Sequence, residues 1–309
     1  MRFGLSMYPF DRYPTRRSVL ETARLVEGLG FDAITIGEHV ITPRAYIGQV
    51  PAKWYDSLTL GATIAGATER VKILFSILVV PYYNPVRLAK ALSSLDVLSE
   101  GRVIVGAGAG WLKSEFEILG ASFEERGAVF DEYLAAMKEL WTSNDPRFDG
   151  RWVKFGDLVF DPPPYQKPHP PIWIGGHGQN AIRRAVALGD GLYPGTNGPL
   201  SRIIARKQET ERRLEAAGRD PATFTFAHAI DYGGTTKSKY DKEMTPIGGR
   251  EHMAFALDET EQMLAHVAEA DAAGISYISV RFPGRDHLEV GDSIRRFHAE
   301  VMRPAAAKP

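Results

Sequence analysis

The chain has 309 residues, a formal net charge of −1, 44% hydrophobic and 24% charged residues, and no cysteine. Interspersed acids and bases argue against a nucleic-acid footprint, and the missing cysteines exclude disulfides, thiolate catalysis and Cys-ligated metal or iron–sulfur centres. No apolar run approaches the roughly 20 residues of a membrane-spanning helix, and the N-terminal stretch turns polar too early for a signal peptide, so a cytoplasmic protein with no membrane partner is expected.

Strand and helix signals alternate along most of the length. Arg2 to Tyr8 reads as a strand, Thr15 to Leu29 as an amphipathic helix ended by Gly30, and Asp32 to Ile36 as a second strand ending at Gly37-Glu38-His39. Asp56 or Ser57 caps a helix running to about Thr68. The next run, VKILFSILVVP from Val71 to Pro81, is apolar on both faces, as a strand buried between helices and a barrel interior must be, with Ser76 its one polar interruption. Pro85 opens a helix to Leu98, and Arg102 to Val105 is a fourth strand leading into Gly106-Ala-Gly-Ala-Gly110.

Helical patterns cover Trp111 to Leu119 and Phe123 to Trp141. Asp145 to Pro171 interrupts the alternation with a hairpin at Phe148 and a proline-rich extended stretch. Strands at Ile172-Trp-Ile, Gly191-Leu-Tyr, Phe224 to Ile230 and Tyr277 to Arg281 then alternate with helices at Gln179 to Leu188, Leu200 to Ala217, Glu259 to Ala273 and His287 to Met302. Eight strands with intervening helices and no evident linker predict a single α/β domain over 1–309. It is a (β/α)8 TIM barrel with insertions at the C-terminal face, where barrels carry their active sites. Between Tyr232 and Met253 the pattern is lost; a lid after the seventh strand and a plain surface insertion both fit.

The candidate chemistry falls at strand ends. His39 is a candidate proton donor or acceptor, and Glu38 beside it can hold backbone or ring polar groups. An isolated histidine is more often a satisfied core residue, but the end of a barrel strand favours chemistry. Ser76 and Ile77 fall late in the third strand, where a small hydroxyl can meet a ring edge. Gly106, Gly108 and Gly110 bring bare backbone toward a flat ring or a phosphate. They make a poor Rossmann fingerprint, because Trp111 stands where its third glycine is needed. Gly175-Gly176-His177-Gly178 opens a helix whose N–H groups suit a phosphate, with Arg183 and Arg184 near in sequence; a tight turn alone also explains these glycines. No HxH, HExxH or GxSxG motif occurs and no lysine sits late in a strand, so no metal site, nucleophile elbow or Schiff base is expected.

Nearly the whole chain resembles the bacterial-luciferase-like superfamily, in its branch of deazaflavin (coenzyme F-420)-dependent oxidoreductases. The resemblance rests on GFDAITIGEHV at Gly30, ATERVKILFSILVVPYYNPVRLAKALSSLDVLSEGRVIVGAGAGW from Ala67, FEERGAVFDEYLAAMKELW from Phe123 and PPIWIGGHGQNAIRRAVALGDGLYP from Pro170. It implies that Glu38 and His39 match an acid–His pair whose histidine lies near the hydride-transfer centre. It also implies that Ser76–Ile77 matches a non-proline cis peptide behind the deazaflavin, and that the glycine run and Gly175-Gly176 contact cofactor backbone and phosphate. Trp111 stands where sugar-phosphate dehydrogenases of this kind carry an acid, so that substrate is not transferred. The resemblance therefore implies hydride transfer between F-420 and a small organic substrate. Tyr8, Trp54, Tyr82 and Trp111 are expected to form the substrate side, a core position fitting each of them as well, and Arg44, Lys53 or Arg184 are expected to attract the polyglutamate tail. An FMN-dependent monooxygenase using reduced flavin and oxygen, and a cofactor-binding barrel without turnover, are the alternatives. A homodimer and a reductase supplying reduced cofactor are implied as partners.

Overall fold

The structure, a computed structural model, describes residues 1–47, 50–193, 199–233 and 253–307. Its central strands are β1 (Arg2–Ser6), β2 (Ala33–Ile36), β3 (Lys72–Val79), β4 (Val103–Gly108), β5 (Ile172–Gly175), β6 (Gly191–Tyr193), β7 (Thr225–Tyr232) and β8 (Tyr277–Arg281). Each pairs in parallel with the next, and β8 returns to β1, closing the (β/α)8 barrel predicted from sequence. One short strand went unpredicted: Ala254–Phe255 pairs with Asp231 and Tyr232 at the end of β7.

The outer helices are α1 (Arg16–Gly28), α2 (Ser57–Ala65), α3 (Pro85–Leu98), α4 (Lys113–Leu119), α5 (Arg126–Thr142), α6 (Gln179–Leu188), α7 (Leu200–Ala216), α8 (Thr260–Ala272) and α9 (His287–Phe297). Their starts follow local chemistry. Thr15 and Ser18 form a reciprocal capping box, Asp56 accepts from the Thr59 N–H at 2.7 Å, and Asn84 caps α3 ahead of Pro85. The closing helix was expected to run to Met302; it ends at Phe297 and continues as a wider π turn over His298–Met302. Residues 234–252, most of the stretch read as a lid or a surface insertion, lie outside the described residues.

The 145–171 segment follows α5 and packs along α5 and α3. Glu132 of α5 accepts the N–H groups of Arg151, Trp152 and Val153 at 2.9, 2.7 and 2.9 Å, and Ser93 of α3 donates to the Pro162 carbonyl at 2.5 Å. At the foot of β4, Arg102 is buried and donates four hydrogen bonds, to Ser99, Val71 and Ala65 carbonyls and the Thr68 hydroxyl, tying α2, β3 and α3 together.

Inside the barrel the side chains of alternate residues form layers. The lower layer is apolar, built from Ala33, Leu74, Ile104, Trp173, Ala227 and the Tyr277 ring, with Trp173 and Tyr277 edge to face at 5.1 Å. Two residues further along β3, β7 and β8 or later, the inward positions turn polar: Ser76, Asp231, Ser279 and Arg281. The mouth at the strand C-terminal ends is therefore the wet end of a dry core.

Candidate active site

Three neighbouring elements build the centre of the mouth. β2 ends at Ile36 and delivers Glu38 and His39; the Ser57 hydroxyl at the start of α2 holds the Gly37 carbonyl at 3.1 Å. β3 breaks register with β4 between Phe75 and Leu78, so that Ser76 and Ile77 are both half-buried in a strand otherwise closed to solvent along this stretch. The Ser76–Ile77 peptide is cis. β4 runs through the glycine-rich turn into α4, whose first turn carries Glu115.

Glu115 is fully buried and organises the centre. Its Oε2 lies 2.9 Å from His39 Nδ1 and accepts from the Tyr82 hydroxyl at 3.0 Å, while Oε1 accepts from the Val40 and Ile41 N–H groups at 2.5 and 3.2 Å. Burial alone raises its carboxyl, but the His39 contact and the two backbone donors outweigh that and hold it below the ordinary carboxylate value. The same carboxylate raises the Tyr82 hydroxyl, which burial already pushes up. Glu115 thus stays ionised and fixes the His39 ring.

Sequence reasoning pairs His39 with Glu38 and misses Glu115, which lies 76 residues away in the chain. The ring's carboxylate partner is Glu115, and Glu38 holds a backbone group, one of the roles expected of it. Glu38 Oε2 accepts the Val79 N–H at 2.6 Å and its Oε1 accepts from the Tyr83 hydroxyl, so Glu38 braces the end of β3. Burial drives its carboxyl up to about 7, against the hydrogen bonds from Tyr83 and Val79. Adjacent tyrosines therefore hold the two acids, Tyr82 on Glu115 and Tyr83 on Glu38. The available signal for Glu115 was an acid one turn into the helix that follows the glycine run.

Of the four aromatics read as the substrate side, three gather at His39. The Trp54 ring lies 4.8 Å from the imidazole, Trp111 stands edge-on at 5.8 Å, and Tyr8 packs on Trp54 at 5.4 Å. Tyr82 is committed to Glu115 and to the edge of Phe116 at 4.7 Å. Arg281, paired with Asp231, lies 5.7 Å from the centre of the Tyr8 ring.

The glycines serve β3 first. A Cβ on Gly108 would lie 2.1 Å, and one on Gly175 2.5 Å, from Ile77 Cδ1, so the two glycines form the seat of the Ile77 side chain. Gly106 closes against the Phe75 carbonyl, and Gly110, at φ +79°, against Val79 and Phe116. Beyond β5, Gly176 takes φ +129°, Gly178 caps α6 with open space where a side chain would stand, and His177 Nδ1 lies 3.4 Å from Arg206 Nη1.

The expected cations differ. Arg183 and Arg184 both pair with Asp131 of α5, Arg184 also donating to the Gly127 carbonyl, so both are engaged away from the glycine turn. Arg206, whose charge is disfavoured by burial and by Arg202, stands there instead, one turn after Arg202 on α7. Arg44 is exposed, and the Lys53 ammonium lies 5.9 Å from the Tyr55 ring. Among the described residues no group of three or more histidines and carboxylates is placed to hold a metal ion, and no helix is long and apolar enough to cross a membrane.

Fold and site together define a parallel (β/α)8 barrel with a carboxylate-held histidine and an aromatic-lined mouth. Residues 1–232 match the family model of the luciferase-like monooxygenases, and the chain belongs to that family. Members of this superfamily are oxidoreductases and monooxygenases. The chain is 33% identical over 182 residues, 58% of its length and 47% of the relative's, to an FMNH2-dependent dimethylsulfone monooxygenase of Pseudomonas putida. It is 32% identical over 181 residues, 57% of its length and 52% of the relative's, to an F-420-dependent glucose-6-phosphate dehydrogenase of Amycolatopsis mediterranei. It thus spans about half the length of these two curated relatives. The fold is shared, at a TM-score of 0.78 and 20% identity over 99% of both chains, with an F-420-dependent secondary alcohol dehydrogenase in complex with an F-420–acetone adduct.

Proposed function

We propose that this protein is an F-420-dependent oxidoreductase acting on a small organic substrate. The observation that carries the reading is His39, held by buried Glu115 and opening on an aromatic-lined mouth beside the half-buried Ser76–Ile77 step. The residues fit a flat ring with a phosphate tail: Ile77, seated between Gly108 and Gly175, offers an apolar face, and the N–H groups opening α6, with Arg206 near, suit the phosphate. When bound, the deazaflavin supplies a hydride donor or acceptor at ring carbon 5.

His39 handles the proton. With Nδ1 committed to Glu115, Nε2 is the ring nitrogen that exchanges a proton with a substrate oxygen, and ionised Glu115 stabilises the imidazolium formed when it takes one. Trp54 and Trp111 flank the imidazole and shield part of it from water.

Titration of the protein with F-420 and with FMN at equal salt tests the assignment. Tighter binding of F-420 is the expected result. Saturable FMN binding with flavin-dependent oxygen consumption, and no F-420 binding, replaces it with the monooxygenase reading. In single-turnover measurements His39→Ala is expected to slow hydride transfer by about 10² to 10⁴-fold with cofactor affinity retained.

A further inference from the structure

The Glu115 carboxylate divides its contacts between its two oxygens. Oε1 takes the Val40 and Ile41 N–H groups and so ties the backbone after His39 to α4. Oε2 takes two side chains at once, His39 Nδ1 at 2.9 Å and the Tyr82 hydroxyl at 3.0 Å. Imidazole and phenol therefore draw on the charge of one oxygen. Tyr82 ends the short turn Val80–Tyr82 that follows β3, and its edge-to-face contact with Phe116 ties the ring to the residue beside Glu115. Phe116 is fully buried and stands edge-on to Phe123 at 5.4 Å, so the phenol is braced against an apolar wall.

A phenol buried beside a carboxylate keeps its proton, since burial and the Glu115 charge both disfavour the phenolate. Tyr82 is then a donor to an ionised acceptor. Such a charge-assisted bond takes up part of the negative charge at Oε2, and the charge left on that oxygen stabilises the His39 imidazolium. The other groups near this centre act at one remove: Glu38 is held by Val79 and Tyr83, Asp56 caps α2 on the Thr59 N–H, and the ring neighbours Trp54 and Trp111 carry no charge. A phenylalanine at position 82 would fill the same place against Phe116, so packing does not require the oxygen.

We propose that Tyr82 is a positioning residue that sets the proton affinity of His39 through the Glu115 oxygen they share. Its hydroxyl keeps Glu115 from holding the imidazolium too firmly, so that Nε2 takes a proton from a substrate oxygen and gives it up again in each turnover. This rests on reading His39 as the proton-handling group. Tyr82 acts through Glu115.

The His39 ring is titrated by NMR in the full chain without added cofactor, its signals assigned by their loss in His39→Gln, for wild type, Tyr82→Phe, Glu115→Gln and the variant carrying both Tyr82→Phe and Glu115→Gln. Tyr82→Phe is expected to raise the midpoint by about one pH unit, a tenfold gain in proton affinity, as for one net hydrogen bond. With Glu115→Gln in place, Tyr82→Phe is expected to leave the midpoint where it stands. A midpoint that Tyr82→Phe leaves unchanged or lowers, or an equal rise in the Glu115→Gln background, overturns the proposal. If Tyr82→Phe does not fold, 3-fluorotyrosine at position 82 keeps the ring and makes the hydroxyl a stronger donor; the midpoint is then expected to fall, and a rise or no change overturns the proposal. The pH dependence of single-turnover hydride transfer separates the proposal from the reading beneath it. A midpoint that moves in the NMR titration and not in the rate profile overturns His39 as the proton-handling group while the coupling to Tyr82 stands. An unmoved titration beside a rate that His39→Ala slows removes the proposal alone.

Discussion

His228 of β7 and His266 of α8 meet under the barrel wall with ring centroids 5.3 Å apart, both buried, and both nitrogens of His228 and Nε2 of His266 lack a hydrogen-bond partner among the described residues. Burial pushes the His228 imidazole down to about 3, aided by His266, and the His266 imidazole down to about 4. Both are therefore neutral in the folded protein at pH 5, while the unfolded chain protonates them below its ordinary value of 6.5. Stability is lost as pH falls from about 6.5 toward the folded values, at a cost near pH 5 of about 2 kcal/mol per imidazole. Glu38 works in the opposite sense. Its raised value of about 7 means that the folded state takes up a proton before the unfolded one, which stabilises the fold as pH falls from about 7 toward 4.5.

The two effects are separated by His228→Leu, a swap of similar volume that leaves Glu38 untouched. Relative to wild type, the variant is expected to gain about 2 kcal/mol between pH 7.5 and pH 5. Urea denaturation of both proteins at the two pH values measures it. Equal acid losses in wild type and variant refute the reasoning and mean that His228 is protonated or solvated in the folded state.

Arg102→Met removes four buried hydrogen bonds and strands the carbonyls of Ser99, Val71 and Ala65, so a loss of about 3–5 kcal/mol in denaturant unfolding is expected. Gly108→Ala drives a Cβ into Ile77 and is expected to cost about 1–3 kcal/mol; adding Ile77→Ala should recover part of it, and purely additive losses count against the seat. Glu115→Gln keeps the shape but removes the charge facing His39, and a fall in turnover of about 10 to 100-fold with little change in cofactor affinity is expected from steady-state kinetics.

The barrel was legible in the sequence because each strand announces itself locally: the two-sided apolar run of β3 and the capped, periodic helices need no partner to be recognised. The strand-end residues followed from that frame, and His39 with Trp54, Trp111 and Tyr8 does gather at one mouth. What the sequence hides is pairing across space. Glu38 adjoins His39 in the chain, yet the carboxylate on the ring comes from α4; Arg183 and Arg184 adjoin the glycine turn, yet a helix directs them to Asp131 on α5. The Thr35 hydroxyl of β2 meets Tyr277 and Ser279 of β8, and no linear pattern connects them. Glycines carry a related ambiguity, since small residues at Gly108 and Gly175 make room for a neighbouring strand as readily as for a ligand.

The hydrogen bonds that fix His39, Glu115 and Glu38 all connect residues between 38 and 115, within the first four strands of the barrel and the helix that follows them. The proposed reactive centre is in this sense self-contained. Changes in the later half of the chain can therefore leave the direct hydrogen bonds that hold the His39 imidazole in place. Divergence among proteins built this way is expected to concentrate in the second half of the chain, with inherited chemistry in the first and acquired taste in the second.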